Sequence, residues 1–311
     1  MTIFGNRGAL MQRSNKTNGK RLFRTQGQRE PRAGAALQAR RWLRTFPFRK
    51  RLPKTDRRAG VWGNWTTMGL AAMATSVICG ANSALAVDYV VYSPLVVRGE
   101  KEVEYRSYYN LDNRPEINGQ QGYRLAVGAG LTDFWYSDIY GNFTKGYGGG
   151  LKAQGVEWEN RFQLAPQGKY WLDMGFLSEI EYRFQANAPY EVSVGPLLEK
   201  QIGRTVTTLN LLLEKTFGNN ANSGVEFEYK ARLKYLLKRA LSPAVEAYGS
   251  PGYIGRFAPV AAQRHQIGPA LYGTLRTGPS QVFSYSGAAL FGLTKASPDL
   301  TLVLRMEYEF Y

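Results

Sequence analysis

An all-β fold, an antiparallel transmembrane β-barrel of about twelve strands behind a removable leader, is the fold class this sequence predicts. Three observations predict it. Beyond Val87, apolar and polar residues alternate with period two in one segment after another. The links between these segments alternate between short and long. Charge and aromatic content both change abruptly near residue 86.

The change at residue 86 divides the chain. Residues 1–60 carry 17 Lys/Arg against only Glu30 and Asp56, and residues 61–86 carry no charged side chain. The pI of 9.8 therefore belongs to the leader, while residues 87–311 are almost neutral, which removes most of the support that net charge would lend to nucleic-acid binding. All 20 Tyr lie beyond residue 86, as suits a protein whose surface meets both lipid and water. The basic stretch 1–60 reads as a disordered leader, either an extended signal flank or an overlong start assignment.

Residues 61–86 have the order of a signal peptide: a charged flank before it, an apolar core from Met68 to Gly80, then Ala84-Leu85-Ala86, the small-x-small pattern at which signal peptidase cuts. A retained anchor would need about 20 apolar residues, more than this core supplies. Cys79 follows Val77-Ile78 rather than the small residue a lipoprotein cysteine requires, and Arg57-Arg58 would imply export of a folded protein, which a membrane barrel cannot be. Cleavage after Ala86 leaves Val87 first and removes the single cysteine, so the mature part has no thiol chemistry.

The strands follow in order. The clearest runs from Val225 to Tyr235, with Val225, Phe227, Tyr229, Ala231, Leu233 and Tyr235 on one face and Glu226, Glu228, Lys230, Arg232 and Lys234 on the other. Phe227 is expected near the middle of the lipid-facing stripe. Leu172 to Phe184, Val156 to Leu164 and Leu302 to Phe310 repeat the pattern, and eight weaker segments bring the total to twelve: 103–109, 123–129, 135–143, 192–198, 209–217, 243–248, 267–275 and 283–291. Short links are expected at 131–133, 165–169, 202–204, 239–241 and 277–280, and longer ones between them, which puts both ends of the barrel on the periplasmic side. Gly195-Pro196 and Gly268-Pro269 interrupt two strands, where a missing ladder donor predicts bulges or strand ends.

One motif recurs on the inward face. Glu-x-Glu-x-Arg/Lys occurs at Glu102/Glu104/Arg106, Glu157/Glu159/Arg161, Glu179/Glu181/Arg183 and Glu226/Glu228/Lys230, with Arg305/Glu307/Glu309 in reverse order. Residues two apart on a strand share a face at about 6.6 Å, so each motif forms one luminal column. These charges either line a selective aqueous path or pair across neighbouring strands to fill a narrow barrel. Each acid pair brings its own basic partner, which counts against glycosidase chemistry. His265, the single histidine, is expected as a surface residue closing the longest loop, without a nucleophilic Ser motif beside it. Lys145 to Gly150 is Gly-rich but lacks the Gly-Lys-Ser/Thr ending of a phosphate loop and reads as an outer loop. The sequence thus presents no catalytic residue, no metal-ligand motif and no cofactor site.

The last strand, with Leu302, Leu304, Met306, Tyr308 and Phe310 on one face, resembles the closing strand of bacterial outer-membrane proteins, in which a terminal aromatic is read by the barrel-insertion machinery; here Tyr311 follows Phe310. Gly-Pro-Leu-Leu-Glu-Lys (195–200), His-Gln-Ile-Gly-Pro (265–269) and Gly-Leu-Thr-Lys-Ala-Ser-Pro-Asp (292–299) are similar to segments of small porin-like barrels, a group that includes outer-membrane proteins encoded with phenol-degradation pathways. The resemblance covers roughly residues 100–311. It implies an outer-membrane location, periplasmic chaperones and lipid as partners, and passive diffusion of small solutes, hydrophobic ones included. A membrane-embedded hydrolase and a structural or adhesive barrel with ligand-binding loops are the rival functions. N-terminal sequencing of membrane-extracted protein is expected to begin at Val87; a product retaining residues before Met68 would contradict the signal-peptide reading.

Overall fold

Strands with one apolar and one polar face, arranged in a single sheet, leave two edges unpaired until the sheet closes on itself. The computed structural model describes residues 88–311 and shows that closure. The basic leader 1–60, the signal segment 61–86 with Cys79, and the cleavage residues Ala84 and Ala86 lie outside the described residues.

Twelve long antiparallel strands form the wall: β1 (Lys101–Leu111), β2 (Gln121–Gly130), β3 (Trp135–Lys145), β4 (Lys152–Gln163), β5 (Asp173–Arg183), β6 (Tyr190–Ile202), β7 (Thr205–Phe217), β8 (Glu226–Tyr235), β9 (Ser242–Tyr253), β11 (Arg264–Gly278), β12 (Gln281–Gly292) and β13 (Leu300–Phe310). A two-residue strand, β10 (Arg256–Phe257), folds back on the end of β9, and Val260–Ala262 makes one 3-10 turn before β11. Each long strand pairs with its neighbours in sequence, and β13 pairs with β1 along its full length, so the barrel has no open edge. All twelve expected strands are present, most of them longer than the alternation alone delimits.

The exterior is apolar. Val103, Val127, Ile139, Trp158 and Ile180 are register partners on successive strands and make one exposed row around β1–β5. Leu302 and Leu304 continue this face on β13. The buried faces instead carry Glu104, Glu159, Asn142, Asn210 and Thr208. An apolar outside around a charged inside inverts a soluble barrel, and a lipid surround is what such an exterior requires.

Several details depart from expectation. Gly195-Pro196 and Gly268-Pro269 make neither bulges nor strand ends: β6 and β11 continue through them in unchanged register, with a gap in the ladder on one side only. The Gly supplies the reason. A Cβ on Gly195 would sit 1.9 Å from the Leu211 carbonyl oxygen, and one on Gly268 would sit 1.8 Å from that of Ala289. The neighbouring carbonyl, denied a proline N–H, closes against the bare glycine Cα. Register shifts occur elsewhere, at Asn142/Phe143, Phe227/Tyr229 and Arg276/Gly278. The link 164–172 is longer than the short turn expected there, although it lies at the same end as 131–134, 203–204, 236–241 and 279–280. Phe227 is not at mid-height: it is the second residue of β8, at the long-loop end, beside Phe257 of β10 at 6.4 Å between ring centres.

Ile139 is the better probe of the lipid face. Ile139→Arg is expected to lower the folded fraction in lipid vesicles by about 2–4 kcal/mol, the cost of Arg on the mid-membrane exterior, whereas Glu228→Arg, which adds the same side chain to the lumen, is expected to fold nearly as well as the native protein. Equal folded yields, read by the mobility difference between heated and unheated samples, would reverse the facing of the sheet.

Candidate functional site

An extended segment sends alternate side chains to opposite sides, and residues 88–97, which precede β1, use this inside the barrel. Val90 and Tyr92 pack on Leu177, Leu197 and Leu212 of one wall. Tyr89 and Val91 pack on Tyr248 and Leu290 of the other, with Tyr108, Ala288 and Val303 around them. Tyr89, Val90, Val91 and Tyr92 are all buried. The two valines contribute about 1.5–3 kcal/mol each if their surface would otherwise be wet. This strap therefore occupies the middle of the lumen.

Polar contacts fix its depth. The Asn210 side chain brackets Tyr92, its Oδ1 accepting from the Tyr92 backbone N–H (2.7 Å) and its Nδ2 donating to the Tyr92 carbonyl (2.9 Å). The Tyr89 hydroxyl donates to Gln266 Oε1 at 2.9 Å, and the Val96 N–H donates to Gln163 Oε1 at 2.8 Å. At the inner end, the Asp88 carboxylate lies 3.0 Å from Arg106, 3.7 Å from Arg124 and 3.1 Å from Lys230. Three cations on three strands converge on one strap carboxylate.

The charged columns are arranged by antiparallel register. Arg106 stands directly across from Arg305 on one side and Arg124 on the other, Glu104 faces Glu307, Glu157 faces Glu181, and Glu159 faces Glu179. At these positions like charges oppose like charges, and an opposite-charge pair in direct register is found instead between β8 and β9, where Arg232 faces Glu246. Neutralisation runs along a strand, diagonally, or through the strap. Arg106 donates to Glu104 through both Nε (2.6 Å) and Nη2 (2.8 Å), Arg305 reaches Glu104 diagonally, and Arg124 reaches Glu157 at 3.0 Å. Arg106 and Arg161 also lie over the rings of Tyr140 and Tyr136, at 4.5 and 4.1 Å.

Of the residues expected in the lumen, Glu102, Glu104, Arg106, Glu157, Glu159, Glu179, Lys230 and Arg232 are buried, and Arg161, Glu181, Arg183, Glu226, Glu228 and Lys234 are half-buried. Arg183 links Glu181 (2.9 Å) to Glu191 (2.5 Å). Asp88, Arg124, Asp138, Tyr140 and Asn210 belong to the same network and escaped sequence reasoning, because none falls in a Glu-x-Glu-x-Arg/Lys motif. The sequence does hold a sign of the strap, namely Leu177, Leu197, Leu212 and Leu290, apolar residues on the inward side of otherwise polar alternation.

Above the strap, toward the long loops, lies a vestibule of about 1150 Å3. Its floor includes Asp88, Tyr89 and Tyr108, and its wall includes Arg183, Glu191, Glu214, Glu226 and Glu228. Glu214 and Glu226 are direct register partners, so this wall is acidic. At the rim, Arg114 clamps the β1–β2 loop to the β12–β13 loop by donating to the Lys295 and Ser297 carbonyls, each at 2.6 Å. The hydrogen bond from the same Arg114 holds the Asp112 carboxyl down, at about 2. A depressed carboxylate stabilises the fold above its ordinary range and loses that contribution as pH falls through its own pKa, so this clamp is intact at neutral pH.

His265 is not a loop residue. It is the second residue of β11, half-buried, with Nδ1 2.9 Å from the Tyr229 hydroxyl and Nε2 2.7 Å from Gln263 Oε1. The nearby Ser297 hydroxyl accepts from the His265 backbone N–H rather than meeting the ring.

No protein-family model matches the chain, and no curated protein is detectably similar to it in sequence. Among solved structures it is similar to the NanC porin, at 11% identity over 67% of this chain and 99% of that one, with a TM-score of 0.45. It is also similar to the translocator domain of the autotransporter NalP from Neisseria meningitidis (11% identity, 68% and 88% covered, TM-score 0.42) and to the outer-membrane phospholipase A from Escherichia coli (8%, 71% and 93%, 0.33). A porin, a translocator domain and a phospholipase stand side by side in this set, and the likeness extends no further than a membrane β-barrel.

Proposed function

We propose that the protein is a porin-like channel of the bacterial outer membrane for passive diffusion of small solutes, with a strap in its lumen that holds the path closed. The lumen wall carries this reading. It is charged from Glu226 and Arg183 at the loop end to Glu102 and Lys234 at the other, and apolar where Leu177, Leu197, Leu212 and Leu290 receive the strap. Without the strap, what remains is a passage bordered by fixed charge, the setting in which ions and polar solutes are selected.

The orientation follows from the usual plan of such barrels, with long loops outside and short turns in the periplasm. The vestibule then opens to the exterior and the strap enters from the periplasmic end. Its lining supports small solutes of mixed character: tyrosines Tyr108, Tyr229, Tyr248 and Tyr253 offer aromatic faces, and Glu191, Glu214, Glu226 and Glu228 favour cations over anions. Admission of hydrophobic solutes, as in the phenol-pathway group, rests on the resemblance. The outward apolar face of Leu302, Leu304, Met306, Tyr308 and Phe310 is the side the insertion machinery would read.

Planar-bilayer recording tests the reading. The native mature protein is expected to conduct weakly, and Asp88→Ala combined with Tyr92→Ala, which removes the anchor and the largest strap side chain, is expected to raise conductance severalfold. Fixed charges act over about one Debye length, roughly 8 Å at physiological salt, so adding Glu226→Gln and Glu228→Gln to the opened channel should move its reversal potential toward anions. If both proteins insert and neither conducts, the channel reading is withdrawn in favour of a structural barrel.

A further inference from the structure

Antiparallel pairing of two like-ordered Glu-x-Glu-x-Arg motifs has a geometric cost. On β4 the order is Glu157, Glu159, Arg161, and on β5 it is Glu179, Glu181, Arg183. Register sets the four acids against one another and sends the two arginines to opposite ends: Arg161 opposes Leu177, and Arg183 opposes Gly155. Glu157, Glu159 and Glu179 thereby each bring one carboxylate oxygen within 4.8 Å of the other two, and all three are buried. Asp138 on β3, register partner of Glu159, adds a further acid.

The chain's own cations do not complete this cluster. Glu157 is bound by Arg124 and Asn142. Glu159 is fully buried, yet neither of its oxygens has a hydrogen-bond partner among the described residues; its one ion pair within 4 Å there is with Arg161 Nε at 3.4 Å, and Arg106, the other cation acting on it, is engaged by Glu104 and Asp88. Glu179 Oε1 is likewise buried without a partner. In the second close group of acids, Glu102, Glu104 and Glu307, Glu104 is engaged by Arg106, Arg305 and Tyr140 and Glu307 by Arg305, which leaves only Glu102 Oε1 buried without a partner among the described residues. Buried carboxylate oxygens left without donors cost several kcal/mol or more unless a cation or a proton meets them.

We propose that Glu157, Glu159 and Glu179 form a binding site for a calcium-sized divalent cation within the lumen wall. Calcium takes oxygen ligands at about 2.4 Å, so two ligands of one ion stand at most about 4.8 Å apart. The buried Asn142 side chain, whose Nδ2 donates to Glu157 (3.3 Å) and Glu181 (3.2 Å) and whose Oδ1 has no partner, can present that oxygen to the ion after an amide flip that exchanges those two contacts for the metal. No ligand-spacing motif announces the site in the sequence, because its donors come from two strands and meet through register alone. The ion cross-links β4 to β5 beside the strap, and the site stands whether or not the lumen conducts.

Calorimetric titration of the folded, chelator-treated mature protein in nonionic detergent with calcium chloride tests this, together with thermal unfolding in calcium and in EDTA. One saturable site and a higher unfolding temperature in calcium are expected, since a ligand held by the native state alone stabilises it. Glu159→Gln with Glu179→Gln is expected to weaken binding by roughly tenfold or more without loss of the heat-dependent gel shift. Should that pair prevent folding, Glu159→Asp, which keeps the charge and withdraws the oxygen by one methylene, is expected to weaken binding as well. No calcium binding by folded native protein at millimolar concentration overturns the proposal, as does unchanged affinity in the folded variants, which would put the ion elsewhere. A double variant that is more stable than the native protein and indifferent to calcium would mean that these acids share protons, and that also overturns it.

Discussion

Antiparallel register, imposed on a lumen of repeated charge, is the constraint from which the interior of this barrel follows. The stagger found here opposes acid to acid between β4 and β5, Glu157 to Glu181 and Glu159 to Glu179, and base to base at Arg106, which faces Arg305 on β13 and Arg124 on β2. In a desolvated interior such contacts persist only with a compensating charge nearby. On the basic side the strap supplies it, as Asp88 comes within reach of Arg106, Arg124 and Lys230. On the acidic side of β4 and β5 the protein supplies less, and the proposed cation answers that imbalance.

The tyrosines belong to the same balance. The Tyr140 hydroxyl stands within hydrogen-bond distance of both Glu104 (2.8 Å) and Asp138 (3.0 Å), with one proton to donate to either, while its ring lies under Arg106. A phenol can thus serve an acid with its hydroxyl and a guanidinium with its face. This explains why a tyrosine rather than a phenylalanine or leucine points inward at Tyr140, whereas Tyr136 serves Arg161 with its ring face alone.

Legibility from sequence followed the range of each interaction. Strand number, facing and the end at which each link lies rest on period-two alternation, a local property, and they could be read with few errors. The Gly-Pro pairs misled because a proline in isolation removes a donor, whereas here the adjacent glycine lets the neighbouring carbonyl approach and keeps register. Phe227 was misplaced in height although the bounds of β8 were read to within one residue: as the second residue of Glu226–Tyr235 it lies at the strand end, and facing alone says nothing of height. The charged columns were visible as residues, but their partners were not. Which acid meets which base depends on the stagger of strands far apart in sequence, as Arg305 and Glu104 show at a separation of 201 residues. The strap was least visible of all: Asp88 to Val97 is a short, mixed segment with no periodicity of its own to distinguish it.

The strap also bears on how this barrel holds together. An inverted barrel has no apolar core of its own, and both buried apolar clusters among the described residues contain strap side chains. Tyr89 to Tyr92 touch or hydrogen-bond to residues of β1, β5, β6, β7, β9, β11 and β12, so one short segment binds nearly the whole circumference from within. Stability and permeability then pull against each other, since the contacts that tie the wall together are those that fill its centre. A full withdrawal would expose Leu177, Leu197, Leu212 and Leu290 to water and leave Arg106, Arg124 and Lys230 without Asp88. An opening that shifts the strap along one wall, keeping Asp88 in place while Tyr89 and Val91 leave Tyr248 and Leu290, forfeits only one of the two apolar clusters. If the barrel is the channel proposed above, that partial movement is the opening that costs it least.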